Sequence, residues 1–172
     1  MQSKSLDALS PLFKEFKSLE EISLSSNSVV DLTHRTFVHN SVAALPNLAV
    51  LRADHNNVKD FKAFNVEEGW KALRVLNLSY NKIAELVPIA VPNLNELYLT
   101  ENKIEKVETF GGHPKLRILE LRRNKISNLQ GLGAMEELSE LYLAENKVKS
   151  LAGLEIPKIK VLHLRKNIVL SD

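Results

Sequence analysis

Four residues able to do acid–base or hydrogen-bonding chemistry recur at one register of this chain: Tyr98, Glu120, Tyr142 and His163, at steps of 22, 22 and 21 residues. Arg122 and Arg165 each stand two residues behind a member of that series, and Arg52 occupies the same register further upstream. A carboxylate and an imidazole can serve as general base and orienter, which makes Glu120 with His163 the pair to weigh first. Tyr142 falls between them, and the pattern supplies no nucleophile beside them. No catalytic residue is expected, and the chain is read as non-enzymatic. The five histidines, His34, His39, His55, His113 and His163, form no ligand spacing, and there is no cysteine to supply a thiolate. Neither a metal nor a cofactor is expected. Gly111-Gly112 lacks the strand, Lys and Ser/Thr context of a phosphate loop. It is read as positive-φ freedom for a turn. Arg122-Arg123 and Arg165-Lys166 carry charge that could meet phosphates. Glu101 and Glu145 take the equivalent places in the alternate repeats, which reads as charge compensation between neighbouring strands and argues against nucleic acid.

Composition sets the frame. The 172 residues are 44% hydrophobic and 26% charged, with a formal net charge of +2. That is enough apolar material for one continuous core, and residues 1–172 are read as a single domain. The small net charge gives no reason to invoke a polyanion or a membrane surface. Met1-Gln-Ser-Lys-Ser leads into no apolar signal segment, and no run of about 18 apolar residues exists to span a bilayer. A cytoplasmic location is expected.

The elements that position these residues are written in a repeated phrase, Leu-x-x-Leu-x-Leu-x-x-Asn. Its asparagines are Asn27, Asn56, Asn81, Asn102, Asn124, Asn146 and Asn167, at steps of 29, 25, 21, 22, 22 and 21 residues. A period near 22 with this consensus marks a leucine-rich repeat. The expected fold is therefore α/β: a leucine-rich repeat solenoid with a curved parallel sheet on its concave face and short helices and turns on its convex face. Within each repeat the apolar residues alternate, as at Leu97-Tyr98-Leu99, which is a strand with one buried face. The asparagine then offers two donors and an acceptor to turn groups that water cannot reach, and stacked copies should form a ladder. Two further apolar positions, such as Ile104 and Val107, pin the return segment. Leu45, Trp70, Val91, Met135 and Ile156 lie three residues ahead of the first leucine and act as anchors. Pro46, Pro92, Pro114 and Pro157 stand two residues ahead of it, where a missing N–H does no harm outside the ladder.

The irregular places are informative as well. Ala53 stands where other repeats carry Leu, so local looseness or compensating bulk from Phe61, Phe64 or Trp70 is expected. Spacers 33–47 and 62–72 are long; the first is read as a convex helix or a functional loop. Ser10-Pro11 reads as a helix start running to about Phe16. His113, before Pro114, reads as a turn residue. Repeat seven carries no polar cap, from which a longer chain or a covering partner is expected.

The phrases Leu94–Val107, Leu116–Leu129 and Leu138–Leu151 resemble the 22-residue intracellular class of leucine-rich repeat proteins. That class is typified by the nuclear regulatory subunit of protein phosphatase type 1. It also includes leucine-rich proteins of axonemal dynein and of ciliary radial spokes. Leu48-Ala-Val-Leu-Arg-Ala-Asp-His-Asn, with Ala53-Asp54, is most similar to the radial-spoke member. The resemblance implies a protein-binding scaffold within a large assembly of the ciliary axoneme. The alternatives it leaves open are a targeting subunit of protein phosphatase type 1 and a ribonucleoprotein assembly factor. Parallel strands about 4.8 Å apart would align Tyr98, Glu120, Tyr142 and His163 on the concave face, with Arg52, Arg122 and Arg165 nearby. These seven are the expected partner-binding residues, since Tyr and Arg on a rigid face make good interface anchors. No small-molecule substrate is expected.

Overall fold

Each Leu-x-Leu phrase buries its two leucines and turns the residue between them outward, and the backbone follows that alternation. The computed structural model describes residues 15–30, 32, 45–65 and 70–168. Within them lie seven three-residue strands. They are β1 (Glu21–Ser23), β2 (Val50–Arg52), β3 (Val75–Asn77), β4 (Glu96–Tyr98), β5 (Ile118–Glu120), β6 (Glu140–Tyr142) and β7 (Val161–His163). They form one parallel sheet in chain order. The register matches the sequence columns: Tyr98 pairs with Glu120, Glu120 with Tyr142, and Tyr142 with His163.

Behind the sheet, one continuous apolar cluster runs from Ile22 to Val148. In the inner repeats the core leucines are fully buried, Leu97, Leu99, Leu119 and Leu121 among them. The strand leucines of the last repeat, Leu162 and Leu164, are half-buried. Among the described residues β7 has a neighbour on one side alone, so each repeat owes its burial to the next.

The ladder of asparagines is also directional. Asn124 Nδ2 donates to its own repeat at Leu121 O (3.0 Å) and back to the preceding repeat at Leu99 O (2.9 Å). Its Oδ1 accepts from the preceding Ile104 N–H at 3.0 Å. Asn56, Asn81, Asn102, Asn146 and Asn167 repeat this pattern against their preceding repeats. Asn27 departs from the expected buried ladder. It is exposed and donates only to Leu24 and Ser25 of its own repeat among the described residues. Asn167 is half-buried.

The turns explain the prolines. Leu48, Leu94, Leu116 and Ile159 each donate to a carbonyl three residues back, closing a β-turn with proline in its second position. After each strand the chain makes a sharper bend: Ser26, His55, Tyr80, Glu101, Arg123, Glu145 and Lys166 all adopt left-handed backbone, φ 54–59°. Each stands immediately before the ladder asparagine. The Asn hydrogen bonds over-determine this bend, which offsets the steric cost of φ > 0 in non-glycine residues.

The return segments hold short helices and turns, as expected, with little helix. Among the described residues there is no α-helix, and helical backbone is confined to two 3-10 turns, Lys62–Phe64 and Gln130–Leu132. A return path of about a dozen residues must cross the full depth of the layer. Extended backbone advances about 3.3 Å per residue against about 1.5 Å for a helix, which disfavours α-helix in so short a return. The expected N-terminal helix and convex helix of the first long spacer fall almost wholly outside the described residues. Ala53 is fully buried, and its repeat carries the expected aromatic bulk. Phe61, Phe64 and Trp70 are buried, with ring centroids 6.5 Å and 5.2 Å apart along the series. Trp70 Nε1 donates to Ala63 O at 2.8 Å.

Candidate functional site

The exposed face of the sheet is built from the residues between the buried leucines. Because the strands are parallel and in register, the second outward position forms a row: Arg52, Asn77, Tyr98, Glu120, Tyr142 and His163. The first outward position forms another: Val50, Val75, Glu96, Ile118, Glu140 and Val161.

Two strands carry the same Glu-Leu-Tyr sequence, and the structure shows why the pair matters. Tyr98 Oη donates to Glu96 Oε2 at 2.7 Å, and Tyr142 Oη donates to Glu140 Oε2 at 2.6 Å. Each ring is thereby held across the strand. Burial first, and then the Glu96 carboxylate, push the Tyr98 phenol well above its ordinary pKa. For Tyr142 the hydrogen bond to Glu140 is the leading cause of the same upward direction. Both are neutral hydroxyls at physiological pH.

Glu120 is the buried member of the row, 4% exposed. It accepts from Arg122 three times: from the backbone N–H at 2.9 Å, from Nε at 2.8 Å and from Nη2 at 2.5 Å. The bidentate fork fixes Arg122, whose Cζ lies 5.2 Å from the centroid of the Tyr142 ring. The His163 ring lies perpendicular to that of Tyr142, with centroids 4.8 Å apart. The Glu120–His163 pair is therefore not brought together: the carboxylate is spent on Arg122 and the imidazole packs against Tyr142. Arg52 donates from Nε to Glu21 at 2.8 Å. Arg165 is exposed and makes no ion pair among the described residues.

A second column, at the left-handed bends, borders this face. Arg123 bridges Glu101 at 2.7 Å and Glu145 at 3.4 Å, and Lys166 reaches Glu145 at 3.4 Å. This is the charge compensation read from the alternation of signs. His55 stacks on Tyr80 in the same column, 4.1 Å apart. A shallow groove runs between the two columns, lined by Asp54, Tyr80, Thr100, Arg122 and Glu145 among others. Asp54 accepts from Ser25 Oγ at 2.6 Å and meets His55 Nδ1 at 3.0 Å. Burial alone would raise its pKa, but those two partners outweigh it and hold the carboxyl low.

Sequence reasoning placed the rows correctly and missed two things. It did not anticipate the left-handed bend before every asparagine, because no glycine stands there to announce it. It also read His113 as an ordinary turn residue. His113 does close a turn, yet it is buried and takes the anchor place of repeat five, with Nε2 2.9 Å from Val91 O and Nδ1 without a partner. Its spacing, three residues ahead of Leu116, was the available signal.

A model described as "Leucine rich repeat" matches residues 92–148, and one described as "Leucine Rich repeats (2 copies)" matches residues 71–112. The solenoid is built of leucine-rich repeats. Human lumican is 33% identical over 122 residues, covering 59% of this chain and 35% of lumican. Pig fibromodulin is 32% identical over 103 residues, covering 58% of this chain and 65% of the matched fibromodulin chain. This leucine-rich repeat chain thus spans between about a third and two thirds of these curated relatives. An internalin (inlF) of Listeria monocytogenes has the same fold at TM-score 0.68 and 23% identity, covering 95% of this chain and 46% of the internalin. The match at that identity speaks for the fold. Among the described residues no helix is long and apolar enough to cross a membrane.

Proposed function

We propose that this leucine-rich repeat array is a non-enzymatic protein-interaction scaffold whose concave face holds a partner protein. The observation that carries this reading is the preordered surroundings of Tyr142. Its hydroxyl is held by Glu140, Arg122 lies over its ring, and the His163 ring packs perpendicular to it. Aromatic and Arg side chains already fixed before binding lose little rotamer freedom on complex formation, which favours them as anchors. The face is mixed in sign, which suits a folded partner or helix better than a polyanion. Neither small-molecule, nucleic-acid nor membrane binding is part of this function.

The assembly we propose is axonemal, of the radial-spoke kind, in the cytoplasmic compartment of the cilium. Support for that finer reading is the Leu48–Asn56 phrase with its Ala53-Asp54. The relatives matched above lend nothing to a ciliary or cytoplasmic address. Proximity labelling in a ciliated cell tests both levels, comparing the wild-type protein with Y98A/Y142A. The double variant should melt like the wild type, because both rings lie on the exposed face of the sheet and outside the apolar core, and should lose a defined set of neighbours. Axonemal proteins in that set support the spoke-type reading. A phosphatase catalytic subunit there would favour the regulatory alternative, and ribonucleoprotein components the third. Identical neighbours for both proteins would remove the concave face as the binding site.

A further inference from the structure

Lysine stands immediately after the ladder asparagine in four consecutive repeats: Lys82, Lys103, Lys125 and Lys147. All four are exposed. Their backbone N–H groups donate to Val58, Ile83, Ile104 and Ile126 of the preceding repeats, each at 2.9 Å. Identical bonding puts them at one register, so they form a row with about 5 Å between steps. Like charges directly opposite one another on neighbouring strands repel. Within the row Lys125 is paired, with Glu105 at 2.9 Å, and among the described residues Lys82, Lys103 and Lys147 make no ion pair. Glu105 is shared: Lys125 first, then Lys147 and Lys106, hold its carboxyl below the usual range.

The adjacent column makes the contrast. There Glu101, Arg123, Glu145 and Lys166 alternate in sign and pair with one another. One backbone geometry thus supports a compensated column and, two residues away, one in which a single lysine is paired. The second holds a repulsion that a bound anion relieves.

We propose that the Lys82–Lys103–Lys125–Lys147 row is a second interaction surface, which binds an extended acidic segment of a partner protein. The row is one side chain wide. It is bordered by Glu101 and Glu145 before it in the repeats and by Glu85 and Glu105 after it. A nucleic-acid duplex or an anionic lipid surface spreads charge over a broader front and would press against those carboxylates. A single chain of Asp and Glu residues does not. Ile168 continues the row at the same register, donating to Val148 O at 3.0 Å, and is 53% exposed. An apolar end beside four cations suits a polypeptide, which can supply an apolar residue after its acidic run.

The probe is a fluorescent oligoglutamate of about ten residues, with binding followed by anisotropy against the full chain. K82Q/K103Q/K125Q/K147Q should weaken binding about tenfold or more and should melt no lower than the wild type, since repulsion is removed. K103Q/K147Q should fall between. A control with the same change in charge, K17Q/K62Q/K158Q/K160Q, should bind within about twofold of the wild type. Equal loss in both quadruple variants would reduce the effect to net charge and overturn the proposal. So would absence of binding by the wild type. Tighter binding of a single-stranded oligonucleotide of equal charge would replace the peptide with a polyphosphate partner. Y98A/Y142A lies outside the row, so the concave-face reading can fail without touching this result.

Discussion

A primary amide is the smallest side chain that can both donate twice and accept, and the ladder uses all of that capacity. Asn124 ties Leu99, Leu121 and Arg122 carbonyls and the Ile104 N–H to a single group in the interior. Leucine at position 124 would preserve size and leave those backbone groups without partners. N124L should destabilise by about 3 kcal/mol in urea unfolding. N27L should cost less than about 1 kcal/mol, because Asn27 is exposed and water can replace its two bonds. Similar losses for the two would sink the idea that the amide works between repeats. His113 adds a pH dependence of calculable sign. Burial lowers its pKa below the ordinary 6.5, against a partial opposing effect of the Val91 carbonyl. The folded state therefore prefers the neutral imidazole more strongly than the unfolded chain does. Its contribution is complete above about pH 6.5 and declines as pH falls through that value toward the lower folded pKa. Melting curves from pH 7.5 to pH 5 should fall more steeply for the wild type than for H113L. Parallel curves would place the titration elsewhere. The asparagines were legible from their spacing. The burial of His113 was obscured because a polar residue interrupted a column of apolar ones.

At the scale of the element, the turns decide how closely the repeats stack. Gly111 and Gly112 both have positive φ, 72° and 87°, yet they differ in surroundings. A Cβ at Gly112 would lie 2.2 Å from Ala134 O, backbone that cannot yield cheaply, whereas at Gly111 the nearest atom is Thr109 O at 3.9 Å. G111A should therefore show the left-handed penalty alone, about 1 kcal/mol. G112A adds a clash with the next repeat and should cost about 2–3 kcal/mol. Thermal or urea unfolding of the pair separates the two causes, and equal costs would mean that repeat six gives way. The strands and the proline turns were readable because alternation and a missing N–H are local properties. The return segments were read as short helices and turns, and how little helix they hold was not legible, since the distance they must cover depends on neighbours and not on their own residues. The left-handed bends escaped notice for the same reason: Glu101, Arg123 and Glu145 have no intrinsic preference for that backbone, and the ladder imposes it.

For the whole molecule, the array has two surfaces that the same repeat generates by different offsets. The outward strand positions assemble the Tyr, Glu and Arg row, and the position after the asparagine assembles the lysine row. The partner proposed for the first and the acidic segment proposed for the second would be held at once, which is what a scaffold requires. Period and consensus in the amino-acid sequence sufficed for the solenoid, the parallel order of strands and the membership of each row, because each repeat contributes one residue per column and stacking preserves the order. Only the tertiary structure decided which members of a row engage one another. Glu120 had several candidate partners within reach of its column, and geometry gave it to Arg122 while His163 turned to Tyr142. That choice rests on side-chain directions and distances of a few tenths of an ångström, which spacing along a chain does not encode.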